Sequence, residues 1–173
     1  MRTVVLITTG GTIEKVYDPT TGTLENRGSI VRRMLRRLRL EETHVRILEL
    51  MSKDSLLMTP EDRQQVTDQA FIAAEGDARH KPANAIVVLH GTDTLTVTGD
   101  HLHQAGPWPC PVVLTGAMRP YEMARSDALQ NLTEAIVASS LVKPGVYCAC
   151  HGRVLTFPGV VKDKAAMTFV KST

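Results

Sequence analysis

Strand and helix patterns alternate along the 173 residues, which predicts an α/β fold of three layers, a mainly parallel sheet flanked by helices. Three observations carry that prediction. Val4-Val5-Leu6-Ile7 and Ile86-Val87-Val88-Leu89 are short, continuous apolar runs, as expected of strands buried on both faces. Stretches of helical period lie between such runs. Both runs also stop at glycine-containing turns, Thr8-Thr9-Gly10-Gly11-Thr12-Ile13 and His90-Gly91-Thr92-Asp93-Thr94. In open α/β sheets, ligands bind at that carboxyl edge.

The elements follow in order. Residues 2–9 read as a buried strand. Residues 10–27 hold Gly10, Gly11, Pro19 and Gly22 without periodicity, so they predict a long loop of the lid or binding type. Ser29 can cap a helix over 29–40, whose apolar stripe is Val31, Met34, Leu35 and Leu38. A second strand, with alternating apolar residues, spans 43–50. Thr59-Pro60-Glu61-Asp62 has the capping threonine, first-turn proline and acids of a helix start, and that helix runs to about 75. A strand at 85–90, a helix at 94–105, a strand at 112–115 and a helix from Ser126 to Leu141 continue the alternation. Two last strands, 146–150 and 153–157, flank His151-Gly152.

Composition narrows the classes. A chain of this length is expected to form one domain, here residues 1–173. It is 43% hydrophobic and 22% charged, as ordinary globular proteins are. A net charge of +2 is too small to point to nucleic acid, and no apolar run approaches a membrane span. The opening residues read as strand and not as a cleavable leader, and Cys110, Cys148 and Cys150 lack zinc spacing, so reduced thiols in the cytoplasm are expected. Arg32, Arg33, Arg36, Arg37 and Arg39 read as the solvated face of their helix. His101 and His103 point apart on a helix, so no metal site is expected there. Gly10-Gly11 lacks the Gly-Lys-Ser/Thr ending of a phosphate loop.

The two turns carry chemistry. A threonine hydroxyl needs a base or a neighbouring charge to attack. Gly10 and Gly11 let backbone N–H groups approach a ligand beside Thr12, and Asp93 stands next to Thr92. Lys162, in Gly159-Val160-Val161-Lys162-Asp163-Lys164, is the candidate amine to take the Thr92 proton, in what reads as an apolar loop. By themselves such turns are more often backbone caps than catalytic sites.

Three stretches carry a family likeness. Thr9-Gly10-Gly11-Thr12-Ile13, His90-Gly91-Thr92-Asp93-Thr94 and Leu114-Thr115-Gly116-Ala117-Met118-Arg119-Pro120 resemble, in order and separation, the signatures of the bacterial-type L-asparaginase/glutaminase family. The resemblance covers nearly the whole chain and corresponds to that family's N-terminal domain. It implies Thr12 as the nucleophile that forms an acyl-enzyme, with Tyr17 as the loop residue assisting it. It implies Thr92, Asp93 and Lys162 as a second triad handling proton transfer and the attacking water. Asp93 would also bind the substrate α-amino group, and Asp54-Ser55 resembles the turn that takes the substrate carboxylate. Gly11, Gly91 and Ala117 would complete the pocket.

Two departures stand out. Leu56 and Leu57 follow Ser55 where the family usually has a polar residue and an acid. Family members typically also carry a C-terminal domain, so the resemblance implies a short-chain member. The expected activity is hydrolysis of L-asparagine to L-aspartate and ammonia without a cofactor or metal. Alternatives are a mixed asparaginase-glutaminase, a non-catalytic amino-acid-binding module, or an amidase subunit serving a partner. A homo-oligomer, dimer or tetramer, is expected, with no nucleic-acid or membrane partner.

Overall fold

The computed structural model describes residues 1–172. Its centre is a six-stranded sheet built from β1 (Arg2–Gly10), β4 (Thr43–Lys53), β5 (Ala85–Leu89), β6 (Pro111–Thr115), β7 (Gly145–Cys150) and β8 (Arg153–Thr156). The spatial order is β4-β1-β5-β6-β7-β8. Every pairing is parallel except β7 with β8, an antiparallel hairpin in which Cys150 faces Arg153. From β1 the chain moves out to β4, then crosses back to β5 on the other side of β1. The order of connection therefore reverses between β1 and β5, and a crevice opens there at the strands' carboxyl ends.

Helices cover both faces, which is why the central strands have no polar alternation. Val5, Ile7, Ile86, Val88, Val112 and Leu114 pack against α2 (Pro60–Glu75) and α3 (Leu95–Ala105), through Val66, Ala70, Leu95 and Leu102. Val4, Leu6, Val87, Leu89 and Val113 turn the other way. They meet α1 (Val31–Leu35) and α4 (Ala128–Ala138), through Val31, Met34, Leu132 and Ala135. Each fully buried aliphatic side chain of this kind contributes about 1.5–3 kcal/mol. A mainly parallel sheet with helices on both sides is the α/β class that the sequence predicts.

The start of α2 is as expected. Thr59 Oγ1 accepts from Asp62 N, Asp62 answers by accepting from Thr59 N, and Pro60 occupies the first turn. The helix expected over 29–40 is instead the short α1, and Ile30, not Ser29, stands at its cap position. Arg32, Arg33, Arg36 and Arg37 put like charges four residues apart, which weakens any continuation of the helix. The expected loop 10–27 contains more order than its composition suggests: a 3-10 turn at Thr12–Glu14, then the ribbon β2 (Val16–Asp18) and β3 (Thr23–Glu25). Lys162, expected in a loop, lies in a strand. A second antiparallel ribbon, β9 (Val160–Asp163) with β10 (Thr168–Lys171), pairs Lys162 with Phe169. All three cysteines are buried and free. None of the described helices is long and apolar enough to cross a membrane.

Candidate active site

Thr12 leaves the end of β1 and Thr92 the end of β5, so adjacent, hydrogen-bonded strands deliver both hydroxyls to the crevice. Two glycines make the approach possible. Gly11 has φ +81° and ψ −178°, a conformation reserved for glycine. A methyl group placed on it would lie 2.4 Å from Gly91 Cα and 2.5 Å from Gly91 N. Gly91 in turn faces Ser55, whose Oγ would be 2.5 Å from a Gly91 Cβ. The β1 turn, the β5 turn and the Ser55 turn are thus stacked backbone against backbone. Thr94 Oγ1 ties the last two by donating to Ser55 O at 2.9 Å, and Thr9 Oγ1 ties the first two by donating to Leu89 O at 2.9 Å.

The ribbon β9–β10 brings in the amine. Lys162 Nζ donates to Thr92 Oγ1 at 2.8 Å and to Asp93 Oδ1 at 2.7 Å, with its side chain 14% exposed. Thr92 is buried, whereas Asp93 opens to solvent and Thr12 is half-buried. A charged amine held between a hydroxyl and a carboxylate can polarise the first and be balanced by the second. Lys164 lies in the exposed turn beyond β9.

His90, beneath the second turn, is fully buried. Its Nδ1 lies 2.8 Å from Gly91 O and its Nε2 2.8 Å from Thr98 Oγ1, so Nδ1–H donates and Nε2 accepts. Burial drives its pKa down to about 4, opposed by the bond to Gly91. A neutral imidazole therefore braces the turn. Glu14, two residues past Thr12, is buried and pushed up to about 7, chiefly by desolvation. It accepts from Gly10 N at 3.1 Å and from the Ser29 hydroxyl, so it joins the Thr12 turn to the chain entering α1.

Asp54 carries an ion pair. Lys15 Nζ lies 2.8 Å from Asp54 Oδ2, and this bond, with that from Leu56 N, holds the carboxyl below its ordinary range. Ser55 is buried, but Leu56 and Leu57 after it are 68% and 72% exposed. Ala117 packs in the core cluster that contains Ile13. Tyr17 sits on β2 with its side chain 59% exposed, and among the described residues its hydroxyl has no hydrogen-bond partner. The structure thus stacks the turns that carry Gly11, Thr12, Ser55, Gly91, Thr92 and Asp93, and sets Lys162 against Thr92 and Asp93.

Sequence reasoning missed a supporting network. Asp127 accepts from Met118 N at 3.0 Å and Arg119 N at 3.0 Å, and lies 2.8 Å from His151 Nε2, while His151 Nδ1 lies 2.9 Å from Thr168 Oγ1 on β10. Burial alone would raise the Asp127 carboxyl, but these bonds outweigh it and hold it low. Asp127, Cys150 and His151 lie close enough to consider a cation. However, both imidazole nitrogens are already bonded and burial pushes the Cys150 thiol up to about 12, so the cluster reads as a tie between the third signature turn and the Lys162 ribbon.

Fold and site together define a class: an α/β domain that presents two threonines, an aspartate and a lysine at the point where its strand order reverses. Residues 3–169 match the family model "Asparaginase, N-terminal", and the chain belongs to the asparaginase family. It is 34% identical over 108 residues to the L-asparaginase of Thermococcus kodakarensis, covering 62% of this chain and 31% of that one. The solved structure of the thermostable L-asparaginase from Thermococcus kodakarensis superposes with a TM-score of 0.85 at 27% identity, over 98% of this chain and 51% of that one. A second relative, a glutamyl-tRNA(Gln) amidotransferase subunit from Methanococcus vannielii, is 28% identical over 162 residues, 89% of this chain and 35% of that protein. The probable L-asparaginase of Deinococcus radiodurans is 33% identical over 168 residues, 97% of this chain and 48% of that one. The matches therefore span 31–48% of the length of these relatives.

Proposed function

We propose that this domain hydrolyses the side-chain amide of L-asparagine. Thr12 Oγ attacks the amide carbon, the C–N bond breaks, and ammonia leaves with the proton given up by the hydroxyl. A threonyl ester remains. Water then attacks the ester carbon, its proton moving by way of the Thr92 hydroxyl, which Lys162 holds and Asp93 balances, to the Thr12 oxygen as the ester C–O bond breaks and L-aspartate is released. The N–H groups of Gly10 and Gly11 are taken by Glu14 and by Lys53 O, so the oxyanion would be held by a backbone N–H beyond them in the two turns, a contribution that reaches about 2.7–4 kcal/mol per donor in other hydrolases. The scheme uses no cofactor.

The observation that carries this reading is the pair of Lys162 contacts, 2.8 Å to Thr92 and 2.7 Å to Asp93. A domain that only bound amino acids would have no use for an amine dehydrated against a hydroxyl. Asparagine and glutamine differ by one methylene, worth about 1–3 kcal/mol in a closed pocket. We expect little glutamine turnover and a high KM for asparagine. The test is ammonia release by the purified chain from L-asparagine, with L-glutamine alongside. Release from neither would sink the hydrolase reading.

The relative named as an amidotransferase component supports a second reading, an amidase subunit that works beside a partner. Ammonia release by the chain alone distinguishes the two.

A further inference from the structure

We infer that Lys15 supplies the cation that meets the substrate's α-carboxylate at the Ser55 turn, an assignment that rests on the amidohydrolase reading above. Lys15 closes the 3-10 turn that begins at Thr12, its N–H donating to Thr12 O at 3.2 Å. Its ammonium reaches across to Asp54 Oδ2 at 2.8 Å, one residue before Ser55. The lysine therefore bridges the two turns between which a short amino-acid amide would lie.

Its hydrogen bonds are not exhausted. Among the described residues Asp54 is the one partner of the Lys15 ammonium, so two of its three N–H donors remain available. The other cations nearby are engaged elsewhere. Lys53 is held by both oxygens of Asp62, Arg63 donates to Met58 O and Thr59 O, and Lys162 serves Thr92 and Asp93. Leu56 and Leu57 offer no polar side chain where the resemblance expects two, so Ser55 needs another donor beside it for a carboxylate. Asp54 holds Lys15 in position before substrate arrives, which reduces the ordering cost of binding. With the lysine side chain 23% exposed, the contact lies in a partly dehydrated rim where a charge-assisted bond is stronger than in open water.

The experiment compares Lys15→Met with wild type on two substrates. L-asparagine carries the carboxylate. L-asparagine methyl ester keeps the amide and the α-ammonium and lacks that charge. Lys15→Met is expected to raise KM for asparagine about ten- to thirty-fold with kcat within about twofold, to leave the ester's KM unchanged, and Lys15→Arg is expected to restore the asparagine value. Equal losses on both substrates, or no change in the KM for asparagine, would overturn the assignment. Binding of the product L-aspartate, followed by calorimetry, gives a readout independent of turnover. Wild type should bind it about ten-fold or more tighter than Lys15→Met, or than Lys15→Gln if the Met variant fails to fold. Equal binding, or none by wild type, refutes the role of Lys15. Lysine-dependent binding without ammonia release would instead remove the hydrolase reading and keep the lysine.

Discussion

Replacing Gly11 by alanine should both destabilise this protein and disturb the two threonine turns. Two costs combine. At φ +81° and ψ −178° the backbone is in a region that costs a side-chain-bearing residue about 1–3 kcal/mol. The new methyl group would also meet Gly91 Cα at 2.4 Å and Gly91 N at 2.5 Å, and backbone atoms cannot rotate away as a side chain can. Overpacking of that kind costs a further 1–3 kcal/mol or so. The sum, about 2–6 kcal/mol, is a large part of the 5–15 kcal/mol typical of a domain. Relief requires the Thr12 and Thr92 turns to separate, and a displacement near 1 Å costs about a hundred-fold in rate. Gly22→Ala is the matched control. Gly22 has φ +71° with nothing within 4 Å of the added carbon, so only the backbone cost applies, about 1 kcal/mol, and activity should be unchanged. Urea unfolding followed by circular dichroism gives the stabilities, and ammonia release the activities. If Gly11→Ala lost no more stability than Gly22→Ala, or kept normal turnover, the stacked-turn argument would be wrong.

Four further outcomes are expected. Thr12→Ala should abolish ammonia release with the fold intact by circular dichroism, and Thr92→Val should cost orders of magnitude; near-normal kcat in either denies the assigned roles. Lys162→Met should remove activity whereas Lys164→Met should not, and the reverse pattern in steady-state assays would transfer the role. Glu14, raised from 4.5 to about 7, keeps its proton better folded than unfolded, so stability should fall by on the order of 3 kcal/mol as pH rises from about 4.5 to 7 and level off above. His90, lowered from 6.5 to about 4, acts in the opposite direction, losing stability as pH falls across that interval, so Glu14→Gln should reveal the acid loss that wild type partly masks; parallel urea midpoints from pH 4 to 8 for both proteins would refute this. Light scattering at assay concentration should report a dimer or tetramer, and a fully active monomer would defeat that expectation.

The parts of the fold legible in the sequence are those governed by local chemistry. Continuous Val/Ile/Leu runs identify β1 and β5, because a strand covered on both faces has no polar side to show. Thr59-Pro60 and Asp62 place the start of α2 to the residue. The failures lie where distant contacts decide. β9 and β10 are four residues each and acquire their strand character by pairing with one another, and the ribbon β2–β3 is shorter still. The basic run after Val31 carries an apolar stripe that reads as a long helix, but the helix ends at Leu35. At the candidate site, Thr12, Thr92, Asp93 and Lys162 all stand out in the sequence as candidates, and the resemblance orders them, but the contacts of Lys162 with Thr92 and Asp93 appear only in the fold. Nothing in the order of residues joins Lys15 to Asp54 or His151 to Asp127, since those pairs meet only when separate turns are stacked.

The two threonines and the lysine do not share the same mechanical support. Thr12 and Thr92 rise from neighbouring strands of a slab, so their spacing is as stiff as the sheet's hydrogen-bond ladder. Lys162 stands on a two-stranded ribbon, a unit with little stability of its own. Val160 and Phe169 in the core, the Thr168–His151 bond and the Lys171 bonds to Thr156 O and Pro158 O are the ribbon's moorings. Opening of such a ribbon requires less free energy than opening the slab. The constellation therefore has one compliant joint, and under gentle heat or denaturant the amine would part from its hydroxyl while the helices and the parallel strands still stood.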